Sequence, residues 1–268
     1  FDRQKLEIFW DTYCQRLMSD DNPILGVAEK PQYYLPVLAD VDLKVKDDGI
    51  EFDEHLYSSE QVKQVIEVYQ SVLRSIVDQC TDDHLLCILL EKPVYYITTG
   101  EIVHIKNGFH LHFPNLFLNK ADQEVHLIPR VQDLVDKMNI FENLGIKNVI
   151  DKACCKVPWL MYKSRKSEDM DPYTVTSVFN STGNEISLDD AFETYKLYDN
   201  NEKLVNIKGR IKENCGNLRT EKIKSNNMSN KRVTCRYFSR CKDITEINVE
   251  SWNKPKLVPE SNIIGVPA

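Results

Sequence analysis

The sequence predicts an α/β (α+β) fold in which a mixed central sheet is flanked by helices, and three features carry that reading. Residues 33–45 form one strand-like apolar run, and residues 84–113 divide into a series of short β-rich runs. Two longer segments, 3–18 and 59–80, instead repeat their apolar residues at helical spacing.

In chain order, Leu6, Phe9, Trp10, Tyr13 and Leu17 recur every three or four residues, so 3–18 reads as an amphipathic helix. Asn22-Pro23 marks a loop, and the run 33–45 stops at the turn Asp47-Asp48-Gly49. Ser58 or Ser59 caps the next helix, whose buried stripe is Val62, Val65, Ile66, Tyr69, Val72, Leu73, Ile76 and Cys80. Strands follow at 84–90, 94–98, 101–105 and 109–113, with Asn107-Gly108 read as a sharp turn just before His110. A helix from Pro129 to Phe141 comes next, then strands near 148–151, 158–163 and 172–180. Ser187 with Asp190 forms a capping box for a last helix through Tyr198. The segment from Trp252 onward, with three prolines, reads as an arm or linker.

With 268 residues and 42% hydrophobic content, the chain can bury a large core, as one domain or as a core with a subdomain. No apolar run approaches the roughly 20 residues of a membrane span, and no signal peptide opens the chain, so membrane and secreted classes are not expected. The absent initiator Met and the Pro-Ala end suggest a fragment of a longer protein. The eight cysteines lack a disulfide-scaffold spacing, which fits a reducing cytoplasmic or nuclear compartment. Cys215, Cys235 and Cys241 have no C-x2-C knuckle, and zinc is not expected.

Net charge is −7, yet residues 203–242 hold 12 Lys/Arg against 2 Glu, leaving −17 on the other 228. Charge is therefore segregated along the chain. The organisation expected is an N-terminal helical segment (1–30), a core (31–200), a basic segment (201–250) and a C-terminal arm (251–268). Lys222, Lys224, Lys231 and Arg232 belong to a strip suited to tracking the phosphates of a nucleic-acid template, with a solvated insert as its bland alternative.

The chemistry lies elsewhere. Asp40 and Asp42 alternate on one strand and so share a face, as do His110 and His112. With Asp151, which closes the run Asn148-Val149-Ile150, the two acids make an oxygen-rich set suited to Mg2+ or Mn2+. Lys106 lies on the approach to His110. In Trp159-Leu160-Met161-Tyr162-Lys163-Ser164-Arg165-Lys166 an apolar strand runs into cations and a hydroxyl, a composition suited to phosphate oxygens.

The ordered set D-x-D, K-x-G-F-H, h-D and L-x-Y-K-S-x-K resembles the archaeo-eukaryotic primase superfamily over residues 31–180, and most of all the primase part of the fused primase-helicases of large DNA viruses. The resemblance implies that fold and a primase or primase-polymerase activity with two divalent ions. By position, Asp40, Asp42 and Asp151 match its catalytic metal ligands, and His110 its nucleotide-binding histidine. Lys106 and Lys166 match residues holding the incoming triphosphate, with Ser164 beside the latter and His112 and Lys163 as secondary candidates. Gly108 stands where many relatives have Ser. Leu160 stands where several have Arg, with Arg165 as its candidate substitute. The implied partners are a single-stranded DNA template, NTPs or dNTPs, and a C-terminal helicase domain in the same chain, working in host cytoplasm, viral factory or nucleus.

Two other classes compete with this reading. A D-x-D metal-dependent transferase of another kind also places acids after a strand, and a non-catalytic DNA-binding replication module could share the fold while tolerating loss of the acids.

Overall fold

The computed structural model describes residues 24–191, apart from positions 32, 33, 50, 78, 79, 188 and 189, together with positions 5, 8, 9, 12, 13 and 15–17 of an N-terminal helix. The expected segments 201–250 and 251–268 lie outside the described residues. So do Lys222, Lys224, Lys231, Arg232, Cys215, Cys235, Cys241 and the helix expected to run on to Tyr198.

Strand β1 (Ala28–Glu29) is short, and β2 (Tyr34–Lys46) follows it. In the second half of β2 residues alternate: Val41, Leu43 and Val45 are buried, whereas Asp42, Lys44 and Lys46 are exposed. Helix α1 (Ser59–Ile76) starts where Ser58 and Gln61 close a reciprocal capping box, and it buries Val62, Val65, Ile66, Tyr69, Val72, Leu73 and Ile76. It ends before Cys80 because Val77 turns to extended geometry.

Strands β3 (Cys87–Glu91), β4 (Tyr95–Thr99) and β5 (Ile102–Asn119) come next. Helix α2 (Ile128–Lys137) is entered through a helical turn, Lys120–Asp122, and a π-helical segment, Gln123–Leu127. Short β6 (Trp159–Leu160), β7 (Thr174–Phe179) and β8 (Glu185–Ile186) complete the set, and the Ser187 hydroxyl accepts from the Asp190 N–H as the capping box requires.

The main sheet has the order β2-β5-β3-β7-β8, with β4 also on β5, and β1 pairs β6 separately. The α/β fold is as the sequence reading expects, although every named strand pairing is antiparallel where a mixed sheet was expected. Helices α1 and α2 cover one face over a core containing Val41, Leu43, Tyr69, Phe109 and Phe113. On the other face Tyr13 and Leu17 pack with Leu86, Ile88, Leu90, Met161, Tyr162 and Val178. That second face is only partly roofed, and the polar ends of β2 and β5 open on it.

Asn107-Gly108 is not a turn. Strand β5 runs through it without a break, and the hairpin bends instead at Gly100, whose φ of 64° suits a residue without Cβ. The buried Asn107 amide plays a structural part, since its oxygen accepts from the Leu56 N–H at 3.0 Å and its nitrogen donates to the Lys92 carbonyl at 3.3 Å. The segment 148–151 is likewise reduced to a single bridge, Val41 to Ile150. Among the described helices none is long and apolar enough to cross a membrane.

Candidate active site

Register brings the acids and the histidine together. Asp40 sits opposite His110, and Asp42 opposite Gly108, in the β2–β5 ladder; Leu90 of β3 continues the His110 row. Asp151 enters from the free side of β2. Its N–H donates to the Asp40 carbonyl at 2.8 Å, while the Asp42 N–H donates to Val149 O at 2.9 Å. The two segments that carry the three aspartates, distant in the chain, are thus joined by backbone hydrogen bonds.

Their charges act on one another. Burial, then Asp42, then Asp151 push the Asp40 carboxyl up to about 7, against the opposing pull of Lys92 and Lys166. The Lys106 ammonium pairs with Asp42 at 2.8 Å. The Asp151 carboxylate accepts from the Ala153 N–H at 2.8 Å. His110 Nε2 lies 3.6 Å from Asp40, and its ring is stacked on Tyr173 at 3.5 Å between centroids, with Trp159 at 4.5 Å. Burial, His112, Lys92 and Lys166 hold the His110 pKa well below the usual imidazole value, so the ring is neutral at physiological pH.

Among the described residues, no three His, Cys, Asp or Glu side chains converge closely enough to enclose a metal ion as they stand. The reason is visible in the pairings: Asp42 is turned to Lys106 and Asp151 to its own loop. The donor set nonetheless fits a hard divalent cation. It is all carboxylate oxygen, and the burial and mutual repulsion that raise Asp40 are both offset by a bound cation.

Four of the remaining sequence candidates part from this centre. The Ser164 hydroxyl is buried, contacts the Tyr13 hydroxyl at 2.7 Å and accepts from the Val27 N–H at 3.2 Å. Tyr13 donates to the Tyr162 carbonyl, which leaves the Ser164 hydroxyl to donate to Tyr13. Arg165 is buried with its backbone bonded to Leu25 and its guanidinium reaching the Glu168 carbonyl; it is not among the charges that act on Asp40. His112 shares the His110 face but lies buried near Trp159, and desolvation pushes it down to about 3. Lys163 takes a left-handed φ of 60° in the turn after β6, a turn that sends Ser164 inward. Lys166, by contrast, is exposed and its charge reaches Asp40.

Sequence reasoning missed Lys92, Tyr95, Trp159 and Tyr173. The Lys92 ammonium lies over the rings of Tyr95 (4.5 Å) and Tyr173 (4.7 Å). Its backbone continues β3, where Glu91 lies opposite Phe109, and so it comes beside Gly108. The only signal available was its place at the exit of an apolar run, which an ordinary surface lysine shares.

The antiparallel sheet thus sets two aspartates on one strand, a histidine opposite Asp40 and lysines around them. The family described as "C962R protein N-terminal AEP domain" matches residues 1–179, and the chain belongs to it. A protein of Invertebrate iridescent virus 3 named "Putative helicase 121R" is 34% identical over 208 residues, which are 73% of this chain and 22% of that relative. "Putative helicase 184R" of Invertebrate iridescent virus 6 is 30% identical over 212 residues, with the same coverages. "Putative helicase L207/L206" of Acanthamoeba polyphaga mimivirus is 25% identical over 166 residues, 60% of this chain and 16% of the relative. The chain thus spans about a fifth of the length of these relatives.

Proposed function

We propose that this domain is the catalytic part of a DNA-dependent primase or primase-polymerase, which builds primers by metal-assisted nucleotidyl transfer. The observation that carries the reading is the row Asp40–His110 with Asp151 hydrogen-bonded beside it. Asp40, Asp42 and Asp151 would hold two ions, Mg2+ or Mn2+. When bound, these supply activation of the attacking 3′-hydroxyl and neutralisation of the triphosphate and departing pyrophosphate.

The chain's own groups position the nucleotide. His110, neutral and held by Tyr173 and Trp159, donates an N–H to a phosphate oxygen without adding charge. Lys166 reaches over from the loop after β6, and Lys106 moves between Asp42 and the phosphates. Their work is positioning and charge stabilisation, the main needs of phosphoryl chemistry. The relatives' names and lengths support a helicase module in the same polypeptide as a further part of the proposal.

The testing experiment is a template-dependent assay with labelled ATP or dATP, Mg2+ or Mn2+, and no primer. Product formed without primer supports priming; extension of a supplied primer alone narrows the activity to polymerisation, and no incorporation at all defeats the reading. Lys106→Ala, His110→Ala and Lys166→Ala should each raise the nucleotide KM and lower kcat/KM by about ten- to a hundredfold, the value of one charge-assisted hydrogen bond. If the basic segment 203–242 grips template, Lys222→Ala/Lys224→Ala/Lys231→Ala/Arg232→Ala should flatten the log–log salt dependence of single-stranded DNA binding by about 3, at about 0.7 per phosphate contact. A salt titration by fluorescence anisotropy reads that slope.

A further inference from the structure

Lys92 is built unlike the other lysines of the site. Lys106 is already engaged by Asp42, and Lys166 is exposed in the middle of the loop between β6 and β7. The Lys92 ammonium is half-buried, and among the described residues it has no carboxylate within ion-pair distance and no hydrogen-bond acceptor. It rests on the faces of Tyr95 and Tyr173. An ammonium with three unused donors, taken partly out of water, is costly unless an anion meets it in some functional state. The aromatic faces offset only part of that cost.

Lys92 and its neighbour Glu91 are both anchored. Asn107 donates to the Lys92 carbonyl, Tyr57 and Thr176 both hydrogen-bond the Glu91 carboxylate, and Asn107 also ties in Leu56. Tyr173 touches Lys92 on one side and stacks on His110 on the other, so one ring sets the positions of both groups. Gly108, beside Lys92 and opposite Asp42, puts no side chain between the lysine and the carboxylates. Burial, Lys166 and Lys106 lower the Lys92 pKa against the opposing pull of Asp40 and Asp42, so its ammonium lies within the field of the aspartates.

We propose that Lys92 is a further triphosphate-binding residue, an aromatic-cradled cation that contacts the phosphate tail of the incoming nucleotide opposite Lys166. The inference rests on the nucleotidyl-transfer reading above and adds a residue to it. With Lys92 counted, three lysines balance three aspartates, and the charge of bound divalent ions is left to meet the triphosphate. Tyr173 is then a positioning residue that acts through Lys92 and His110.

The test compares binding of fluorescent dATP, with Mn2+ present, to the full 268-residue chain and to Lys92→Met, Lys92→Arg and Tyr173→Leu, with inorganic tripolyphosphate and dAMP as competitors. Methionine keeps the hydrocarbon packed on the two rings and removes only the charge. Lys92→Met should weaken dATP and tripolyphosphate together by about ten- to a hundredfold. It should leave dAMP competition and single-stranded DNA binding unchanged, and the melting temperature of the ligand-free chain unchanged or slightly raised. Lys92→Arg should recover part of the affinity, and Tyr173→Leu should lose at least as much as Lys92→Met.

If Lys92→Met keeps wild-type tripolyphosphate affinity while Lys166→Ala loses it, Lys92 is a structural lysine and the inference falls alone. If the wild-type chain binds neither dATP nor tripolyphosphate, the nucleotidyl-transfer reading falls and takes this inference with it. Should Lys92→Met lower the melting temperature, Lys92→Arg decides: affinity restored without stability restored supports the contact, and stability restored without affinity overturns it.

Discussion

Asp40→Asn is expected to abolish nucleotide incorporation, by about a thousandfold or more, while raising the melting temperature of the metal-free protein at pH 7.5. Loss of activity with gain of stability is unusual, and it follows from one carboxyl. Burial first, and then Asp42 and Asp151, push Asp40 up to about 7 from an ordinary 3.8. The folded state therefore binds this proton more tightly than the unfolded chain does. Below about pH 4 the carboxyl is protonated in both states and carries no penalty. The penalty grows as pH rises from about 4 to about 7, where the unfolded chain ionises freely and the fold resists, and it is constant above that window.

A shift of about three units has a ceiling of about 4 kcal/mol, at about 1.4 kcal/mol per unit. The Asp40 side chain keeps 26% of its exposure, so solvent screening brings the expected gain to about 1–2 kcal/mol, a few degrees for a chain of this size. Asparagine removes the charge at constant shape, so its advantage should be full at pH 7.5 and vanish near pH 4. Melting curves from pH 4 to 8 in chelator check the sign. Adding Mn2+ should raise the wild-type midpoint and leave that of Asp40→Asn nearly unmoved. A destabilised variant at pH 7.5, or one that still incorporates nucleotide, would refute both the electrostatics and the assigned role.

The core of this site was legible because strand alternation is local. Asp40 and Asp42 share a face whatever their partner strand, and order along the chain added His110 and Asp151. What sits across from what is a different kind of information. Lys92 and Tyr173 come to His110 through the β3–β5 and β3–β7 pairings, and no window of sequence encodes a register between strands. Asn107-Gly108 misleads for a related reason. Those two residues favour a turn by local chemistry, but here the Asn107 amide is consumed by Leu56 and Lys92, and strands on both sides satisfy the β5 backbone. The direction of Ser164 is equally hidden from the sequence: the turn at Lys163 sets it, and the hydroxyl meets Tyr13.

Gly108→Ser is expected to have a second large effect, and it restores the serine that the primase resemblance implies at this position. Gly108 does not need glycine for its backbone angles, since its φ is not in the left-handed region. It needs glycine for space. A Cβ built there would lie 2.0 Å from the Val41 carbonyl oxygen, 3.1 Å from the Val41 carbonyl carbon and 3.3 Å from the Asp42 Cα. All three obstacles are backbone, so no rotamer change relieves them, and β2 itself must move. Val41 is also bridged to Ile150, and its neighbours Asp40 and Asp42 hydrogen-bond the 149–151 segment. Displacing β2 therefore disturbs all three carboxylates at once.

Overpacking against fixed backbone should cost about 3 kcal/mol or more, the upper end for such insertions, and lower the melting temperature by several degrees. Where the variant folds, a displacement of about 1 Å between Asp40 and His110 should lower kcat by about a hundredfold. Gly108→Ala should behave in the same way, because the collision is made by Cβ and not by the hydroxyl. Gly100→Ala is the control. Its position has φ of 64° but open space around a Cβ, so it should cost only about 1–2 kcal/mol of backbone strain and leave kcat unchanged. A Gly108→Ser protein with wild-type melting temperature and kcat would mean that β2 has slack at Val41. The close β2–β5 contact would then not be what fixes the aspartates against His110.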